Sequence, residues 1–281
     1  MMAEITRFAP SPTGLLHLGH AFSAVLGEGL ARSTTGQWRL RIDDLDRARC
    51  RPAFIASLHA DLAWLGLRPD GPVPVQSERL QAYRAALAQL TGRGLLYACT
   101  CTRADIAAAI AAPHPGETLP YPGTCRGRAP PSDGTAFAWR LDLAATGLPM
   151  RQQWQDVAAG PQEGLADRAG DPVLMRKDGA PAYHLACVID DAAQGVSLVV
   201  RGRDLVESTP LQRLLQQLLG LPAPRYLHHR LLLAADGRRL AKRDRAETLA
   251  SLRAAGGNGP ALAARLRALA PDGADFHLPI R

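Results

Sequence analysis

The segment PSPTGLLHLGH, residues 10–20, constrains the fold more than any other part of the chain. It follows a run typical of a short strand, residues 4–9, and leads into a helix predicted over about 19–32. A second strand is predicted over 38–42, where apolar residues alternate with arginines. Strand, loop, helix and strand within about forty residues predict the opening of a parallel α/β domain.

Composition narrows the class of protein. The 281 residues are 47% hydrophobic and 21% charged, which predicts a buried core and about two domains and excludes wholesale disorder. No apolar run has the length of a membrane span and the start has no hydrophobic signal core, so we expect a cytoplasmic protein without a membrane partner. The formal charge of +7 suits an anionic partner such as a nucleotide or nucleic acid. Five cysteines, an odd number, argue against a disulfide framework.

Two short motifs have the chemistry of phosphate binding. His17 and His20 stand where the loop enters the first helix, and a helix N-terminus attracts anions; two ordinary capping histidines are the alternative. The chain has only two lysines, and one of them, Lys242, lies in the basic run RRLAKRD. That run suits a polyphosphate, although a solvated basic turn is the alternative. The other lysine, Lys177, falls in a predicted hairpin, and the sequence suggests no role for it.

A third motif has metal-ligand spacing. Cys99 and Cys101 form a C-x-C pair, and Cys125 follows after a Pro- and Gly-rich stretch. Three thiolates and one further ligand suit tetrahedral Zn²⁺, with His114 or Glu117 among the residues able to complete the set. Reduced cysteines without a metal are the alternative. Cys50 and Cys187 lie outside this pattern, and we expect them to be core thiols.

Taken together, these motifs give the chain a family resemblance. It resembles class I glutamyl-tRNA synthetases in five ordered segments: RFAPSPTGLLHLGH, LRIDDLD at 40–46, YHLACVIDD at 183–191, VVRGRDL at 199–205 and RLAKR at 239–243. HLGH resembles the HIGH motif, and RLAKR resembles KMSKS with Arg239 for the first lysine and Ala241 for the serine. The order Cys, Cys, Tyr, Cys is similar to the zinc site of glutamyl-Q tRNA(Asp) synthetases, short paralogues of that family.

The resemblance implies a fold and a division of the chain. We expect an α/β Rossmann-type class I synthetase catalytic domain formed by residues 1–98 and 170–235, interrupted by a zinc-bearing, acceptor-binding-like insertion at 99–169. Residues 236–281 would form the KMSKS-like loop and a short C-terminal helical segment. Only 38 residues follow Arg243, so we expect no anticodon-binding domain.

The resemblance also implies the reaction and its residues. ATP, with Mg²⁺, would activate L-glutamate to glutamyl-adenylate, and a monomer with one structural Zn²⁺ would transfer the glutamyl group to queuosine at the first anticodon position of tRNA(Asp). The glutamate ligands would be Arg7, Ala9, Ser11, Asp43, Tyr183 and Arg201. Catalysis and ATP binding would fall to His17, Gly19, His20 and Lys242. The zinc ligands would be Cys99, Cys101, Tyr121 and Cys125.

Two departures keep other interpretations open. Asp43 stands where the family usually has glutamate, so the contact to the substrate amine could be looser, bridged by water or made by Asp44 instead. The altered RLAKR motif suggests a non-catalytic tRNA-binding paralogue. A truncated glutamyl-tRNA synthetase acting on tRNA(Glu) and a small-molecule nucleotidyltransferase are the remaining alternatives.

Overall fold

A computed structural model describes residues 3–108, 120–233, 248–269 and 276–277. The helices are α1 Leu18–Ser33, α2 Pro52–Trp64, α3 Leu80–Gly92, α4 Arg103–Ala108, α5 Tyr183–Ala193, α6 Thr209–Leu219, α7 Leu249–Ala254 and α8 Gly259–Arg267. The strands are β1 Ile5–Phe8, β2 Gln37–Leu40, β3 Leu96–Cys99, β4 Ala138–Leu141, β5 Arg151–Asp156, β6 Gly160–Leu165, β7 Val173–Met175, β8 Leu198–Gly202, β9 Arg225–His229, β10 Leu232–Leu233 and β11 Phe276–His277.

The predicted parallel opening of the domain is confirmed. β1 pairs in parallel with β2, and α1 connects them and packs against β1. On its other side β1 lies beside β8, where the Ser197 amide donates to the Ile5 carbonyl at 2.9 Å. Phe22 and Val25 of α1 and Trp38 of β2 are fully buried in the core beneath these strands. This packing fixes the N-terminus of α1 next to the carboxyl end of β1.

Two further sheets complete the architecture. β3, β4 and β7 form an antiparallel sheet, while the order β6-β5-β9-β8 joins the β5–β6 hairpin to the parallel pair β8–β9. The sequence analysis missed the hairpin and β9. The buried face of β5 consists of Gln152, Trp154 and Asp156, so two of its three inward residues are polar and the apolar alternation that predicts a strand is absent.

The predicted C-terminal helical segment contains α7 and α8, separated by the GGNGP break. It is fastened to α2, because the Trp64 indole donates to the Gly257 carbonyl at 3.1 Å and Arg253 pairs with the fully buried Asp61 at 3.3 Å. It also reaches the start of α1, where the Leu249 amide donates to the Leu16 carbonyl at 2.9 Å. In the part of the chain described here, no helix combines the length and apolar character needed to cross a membrane.

Candidate active site

A cavity of about 440 Å³ opens where β1, β8 and the N-terminus of α1 meet. Its lining includes all six residues that the resemblance assigns to glutamate: Arg7, Ala9, Ser11, Asp43, Tyr183 and Arg201. His20 and Ser23 of α1 line it as well. The fold therefore collects, at one point, side chains that lie up to 194 positions apart in the sequence.

The two histidines of HLGH cap α1. The His17 imidazole accepts the Gly19 amide at 3.1 Å, and the His20 imidazole accepts the His17 amide at 3.2 Å, so the pair forms a capping box. Their ring centroids are 3.8 Å apart. A Cβ at Gly19 would lie 3.0 Å from the His17 ring, which explains why glycine stands between them. His20 therefore has two structural roles, because it completes the cap of α1 and also lines the cavity.

A buried ion-pair network forms the floor of the cavity. Arg7 and Arg41 both donate to Asp191 Oδ1, at 3.1 and 2.6 Å, and Arg41 also holds both carboxylate oxygens of Asp43 at 2.7 and 3.3 Å. Arg41 is completely inaccessible to solvent. The two cations and two anions balance one another, as buried charges require.

A third carboxylate, Asp190, continues this network behind Arg41. Its oxygens accept hydrogen bonds from Gln76 at 2.8 Å, Arg79 at 2.7 Å and Tyr83 at 2.7 Å. Burial favours protonation of the neighbouring Asp191, but Arg7 and Arg41 outweigh it and lower the pKa of Asp191 to about 2. Asp191 is therefore a fixed anion at neutral pH.

Asp43, and not Asp44, faces the cavity. Asp44 is turned toward Ser77, which donates its amide and hydroxyl to that carboxylate at 2.8 and 2.7 Å. Burial, with the nearby Asp191 and Asp190, raises the pKa of Asp43 to about 6, although Arg41 opposes the shift. Asp43 is consequently a carboxylate that titrates just below neutral pH.

Arg201 reaches the opposite side of the cavity from β8. It is buried, and its guanidinium donates to Thr209 at 2.8 Å, to Gln212 at 2.7 Å and to His228 at 3.1 Å. Tyr183, the first residue of α5, keeps 41% of its surface exposed at the cavity. Three guanidinium cations (Arg7, Arg41 and Arg201), the Asp43 carboxylate and an accessible phenol thus surround the same space.

A wider cleft of about 690 Å³ adjoins this cavity and shares Ser11, Asp43 and Tyr183 with it. The cationic side chains in its lining are Arg49, Arg103, Arg176 and Lys177. Lys177, for which the sequence suggests no role, donates its ammonium to the Thr100 carbonyl at 2.6 Å. This contact connects the turn after β7 with the segment that carries the C-x-C pair.

The three cysteines of the predicted metal motif converge on Tyr121. The Cys101 and Cys125 sulfurs are 3.4 Å apart, and the Tyr121 hydroxyl lies 3.4 Å from Cys99 Sγ and 3.8 Å from Cys101 Sγ. All three sulfurs lie within 4.8 Å of one another. Burial by itself would raise the pKa of the Cys125 thiol, but hydrogen bonds from Tyr121 and Cys101 lower it to about 7.

These residues fit tetrahedral Zn²⁺. Zinc–sulfur bonds of about 2.3 Å place the sulfurs of a tetrahedral site roughly 3.8 Å apart, close to the separations observed. The Tyr121 hydroxyl contacts the sulfurs of Cys99 and Cys101 and accepts the Cys125 amide, so it can supply the fourth ligand; His114 and Glu117 lie outside the described residues. The Arg140 guanidinium lies 3.6 Å from the centre of the Tyr121 ring. Burial and the contacts with the cysteines raise the pKa of the Tyr121 hydroxyl well above its usual value, so without a metal it is a neutral phenol.

Sequence reasoning missed Arg41. In the strand pattern it occupies the same face as Arg39, which suggests a solvent-facing cation, yet it is the most deeply buried charge of the site. The available signal was the acidic pair Asp190 and Asp191 on the otherwise apolar helix α5, which needs buried cations nearby. Lys242, Arg239 and Ala241 of the RLAKR motif lie outside the described residues.

Known proteins resemble this chain in sequence. Residues 5–122 and 132–270 match the family described as tRNA synthetases class I (E and Q), catalytic domain. The chain is 49% identical over 268 residues to the glutamyl-Q tRNA(Asp) synthetase of Rhodobacter capsulatus, covering 90% of this chain and 95% of that protein. It is 46% identical to the enzyme of the same name from Symbiobacterium thermophilum, covering 89% of this chain and 81% of that protein.

A solved structure shows the same fold. A glutamate tRNA ligase from Elizabethkingia meningosepticum, crystallised with its amino acid, superposes with a TM-score of 0.79 at 27% identity. The match covers 95% of this chain and 61% of that protein. The chain therefore spans less than two thirds of the length of this ligase.

The ion-pair network predicts that the loss of a buried arginine destabilises the fold more than the loss of an exposed one. Arg41→Met should lower the free energy of unfolding by about 3–5 kcal/mol, because it leaves Asp43 and Asp191 undercompensated in the interior. Arg49→Met is the matched control, since it breaks an ion pair with Asp46 whose arginine is 71% exposed, and it should change stability little. Urea denaturation followed by circular dichroism measures both. Equal stabilities of the two variants would contradict a structural role for Arg41.

Proposed function

Because the chain belongs to the class I family of tRNA synthetases for glutamate and glutamine, we propose that it activates L-glutamate with ATP and transfers the glutamyl group to queuosine of tRNA(Asp). The observation that carries the proposal is the cavity, where Arg7, Arg201 and Asp43 offer charges complementary to those of glutamate; Arg41, which also lines it, is already paired with Asp43 and Asp191. Two cations face two carboxylates, and one anion faces one ammonium. The identity of the substrate tRNA is inferred from the names of the two relatives, both of which are glutamyl-Q tRNA(Asp) synthetases.

In this proposal the amino acid is held by complementary charge. Arg7 and Arg201 bind its carboxylates, since a guanidinium offers planar, paired N–H donors. Asp43 accepts the ammonium, and Tyr183 donates its hydroxyl to a carboxylate. Ala9 and Ser11 follow β1 in the wall of the cavity and bound the space beside the substrate.

Activation then needs positioning and no protein nucleophile. A glutamate carboxylate oxygen attacks the α-phosphorus of ATP, and the bond to pyrophosphate breaks in line with it. The start of α1, with His17, Gly19 and His20, is assigned to the ATP phosphates: the helix dipole there stabilises the developing charge, and His20 lies in the cavity wall. Mg²⁺ accompanies the ATP phosphates, and Lys242 is assigned to the departing pyrophosphate.

Transfer requires the nucleic acid to approach the adenylate. The adjoining cleft is continuous with the cavity through Ser11, Asp43 and Tyr183, and its Arg103 and Lys177 support an approach along that side. Its other two cations, Arg49 and Arg176, are paired with Asp46 and Asp178. A hydroxyl of queuosine attacks the acyl carbon, an ester bond forms, and AMP leaves with the bonding electrons. We assign the zinc, held by Cys99, Cys101, Tyr121 and Cys125, to fixing the wall of this cleft inside the insertion 99–169, since Lys177 binds Thr100 between the first two ligands.

Two measurements test this function. Purified protein should catalyse glutamate-dependent ATP–pyrophosphate exchange without tRNA, and it should label tRNA(Asp) containing queuosine with radioactive glutamate. Queuosine-free tRNA(Asp) is the matched control and should stay unlabelled. Labelling of tRNA(Glu) instead would support the alternative suggested by the similarity to a glutamate tRNA ligase. Absence of both ATP–pyrophosphate exchange and tRNA labelling would refute the proposal.

The raised pKa of Asp43 predicts a pH dependence. Above pH 6 Asp43 is an anion and attracts the substrate ammonium; below pH 6 it is protonated and this attraction is lost. The KM for glutamate should therefore rise as the pH falls from 7.5 to 5, by up to about tenfold per unit below the pKa. Asp43→Asn should have a high KM that no longer changes over this range. A wild-type KM independent of pH, or an unchanged dependence in the variant, would disprove the assignment.

Metal content tests the cysteine cluster. Purified protein should contain one zinc per chain by plasma mass spectrometry. Cys99→Ala should lose most of it, because three ligands hold the ion far less tightly than four. Cys187→Ala is the matched control, since that buried thiol lies beside Arg41 and outside the cluster, and it should keep the metal. Equal zinc content in both variants would overturn the ligand assignment.

A further inference from the structure

Every nitrogen of the Arg201 guanidinium is bound by a buried side chain. Nε donates to His228 Nε2, Nη1 to Gln212 Oε1 and Nη2 to Thr209 Oγ1. The guanidinium lies 5.3 Å from the centre of the Tyr226 ring. A guanidinium has five N–H groups, so among the described contacts three are used and one remains on each terminal nitrogen. Those two groups are the ones available to a ligand carboxylate.

His228 can accept the Nε–H of Arg201 only in one protonation state. Its Nδ1 lies 2.7 Å from Asp156 Oδ2, so the imidazole proton belongs on Nδ1 and Nε2 carries the lone pair. Burial and the positive charge of Arg201 lower the pKa of His228 to about 4, although Asp156 opposes the shift, which leaves the ring neutral at physiological pH. A protonated ring would place two N–H groups face to face.

Asp156 is itself fixed as an acceptor. The Ala158 and Ala159 amides both donate to its Oδ1 at 3.0 Å, and the His228 amide donates to Oδ2 at 3.1 Å. These bonds outweigh burial and lower the pKa of Asp156. Because Asp156 ends β5 and His228 lies in β9, the arrangement depends on the parallel pairing of those strands.

We infer that Asp156 and His228 are positioning residues of the glutamate site: the carboxylate sets the tautomer of the imidazole, and the imidazole orients Arg201 toward the cavity. The inference rests on the proposed function, in which Arg201 receives a substrate carboxylate. Neither residue lines the glutamate cavity, so both act through the arginine. This role explains Asp156, one of the two polar inward residues of β5.

Substitutions at Asp156 and His228 separate positioning from packing. Asp156→Asn keeps the volume but turns one acceptor into a donor, which favours the wrong tautomer and opposes Nε2–H to the Arg201 Nε–H. His228→Leu removes the acceptor altogether. His228→Gln can restore it, since its amide oxygen is able to accept from Arg201. His59, exposed on α2, provides the control variant His59→Leu.

The experiment is tRNA-independent ATP–pyrophosphate exchange, with the KM of each substrate measured separately. Asp156→Asn and His228→Leu should raise the KM for glutamate by about tenfold or more, the usual effect of disturbing a hydrogen bond to a charged group. The KM for ATP should stay within about twofold, and His228→Gln should recover most of the glutamate affinity. His59→Leu should behave as wild type, and thermal unfolding should verify that each variant is folded.

Distinct results identify which hypothesis fails. Wild-type protein without exchange would overturn the proposed function, and the inference with it. Active wild type with an unchanged KM for glutamate in Asp156→Asn would overturn the inference and leave the function standing. A parallel rise of both KM values, without recovery in His228→Gln, would indicate a structural role and would also overturn it. Asp156→Asn keeps the test decisive if His228→Leu folds poorly.

Discussion

The buried pairing of Arg7 and Arg41 with Asp191 is the interaction on which the rest of the site depends. It joins the end of β1, the segment after β2 and the helix α5, three elements far apart in sequence. Such a network contributes little net stability, because desolvation offsets most of the attraction between the charges. The network instead fixes orientation, because a guanidinium bound along one edge presents its other edge to the cavity in a defined direction. The cavity receives its shape and charge from this arrangement.

Arg7 and Arg201, two of the three arginines that line the cavity, are held by partners of different charge. Arg7 is balanced by a full negative charge, Asp191, at 3.1 Å. Arg201 is held by neutral acceptors, namely Thr209, Gln212 and His228, and so keeps more of its positive charge available to a ligand. A carboxylate entering between them meets one compensated and one uncompensated guanidinium. In the proposed function, this arrangement suits an amino acid that carries two carboxylates.

The extent to which this molecule follows from its sequence depends on how local the information is. The opening strand, α1 and its cap can be predicted because their signals lie in adjacent residues. The six cavity residues are predicted by the family resemblance of the ordered motifs. Arg41 and β5 were missed for the same physical reason. Each places polar groups in the interior, where a hydrophobic pattern predicts apolar ones, and their partners Asp191 and His228 lie 150 and 72 positions away. Long-range polar pairing leaves no periodic signal.

The Asp43 departure shows how the network accommodates a shortened side chain. Asp43 lacks one methylene relative to glutamate, yet Arg41 holds both of its oxygens and so fixes the carboxylate at the cavity wall. The two oxygens of a carboxylate offer about four acceptor positions, of which Arg41 occupies two. The remaining positions can face the cavity and receive an ammonium without displacing the arginine. Arg41 thus keeps Asp43 oriented and, by opposing its raised pKa, ionised at neutral pH, so the shorter acid remains able to act as the amine acceptor.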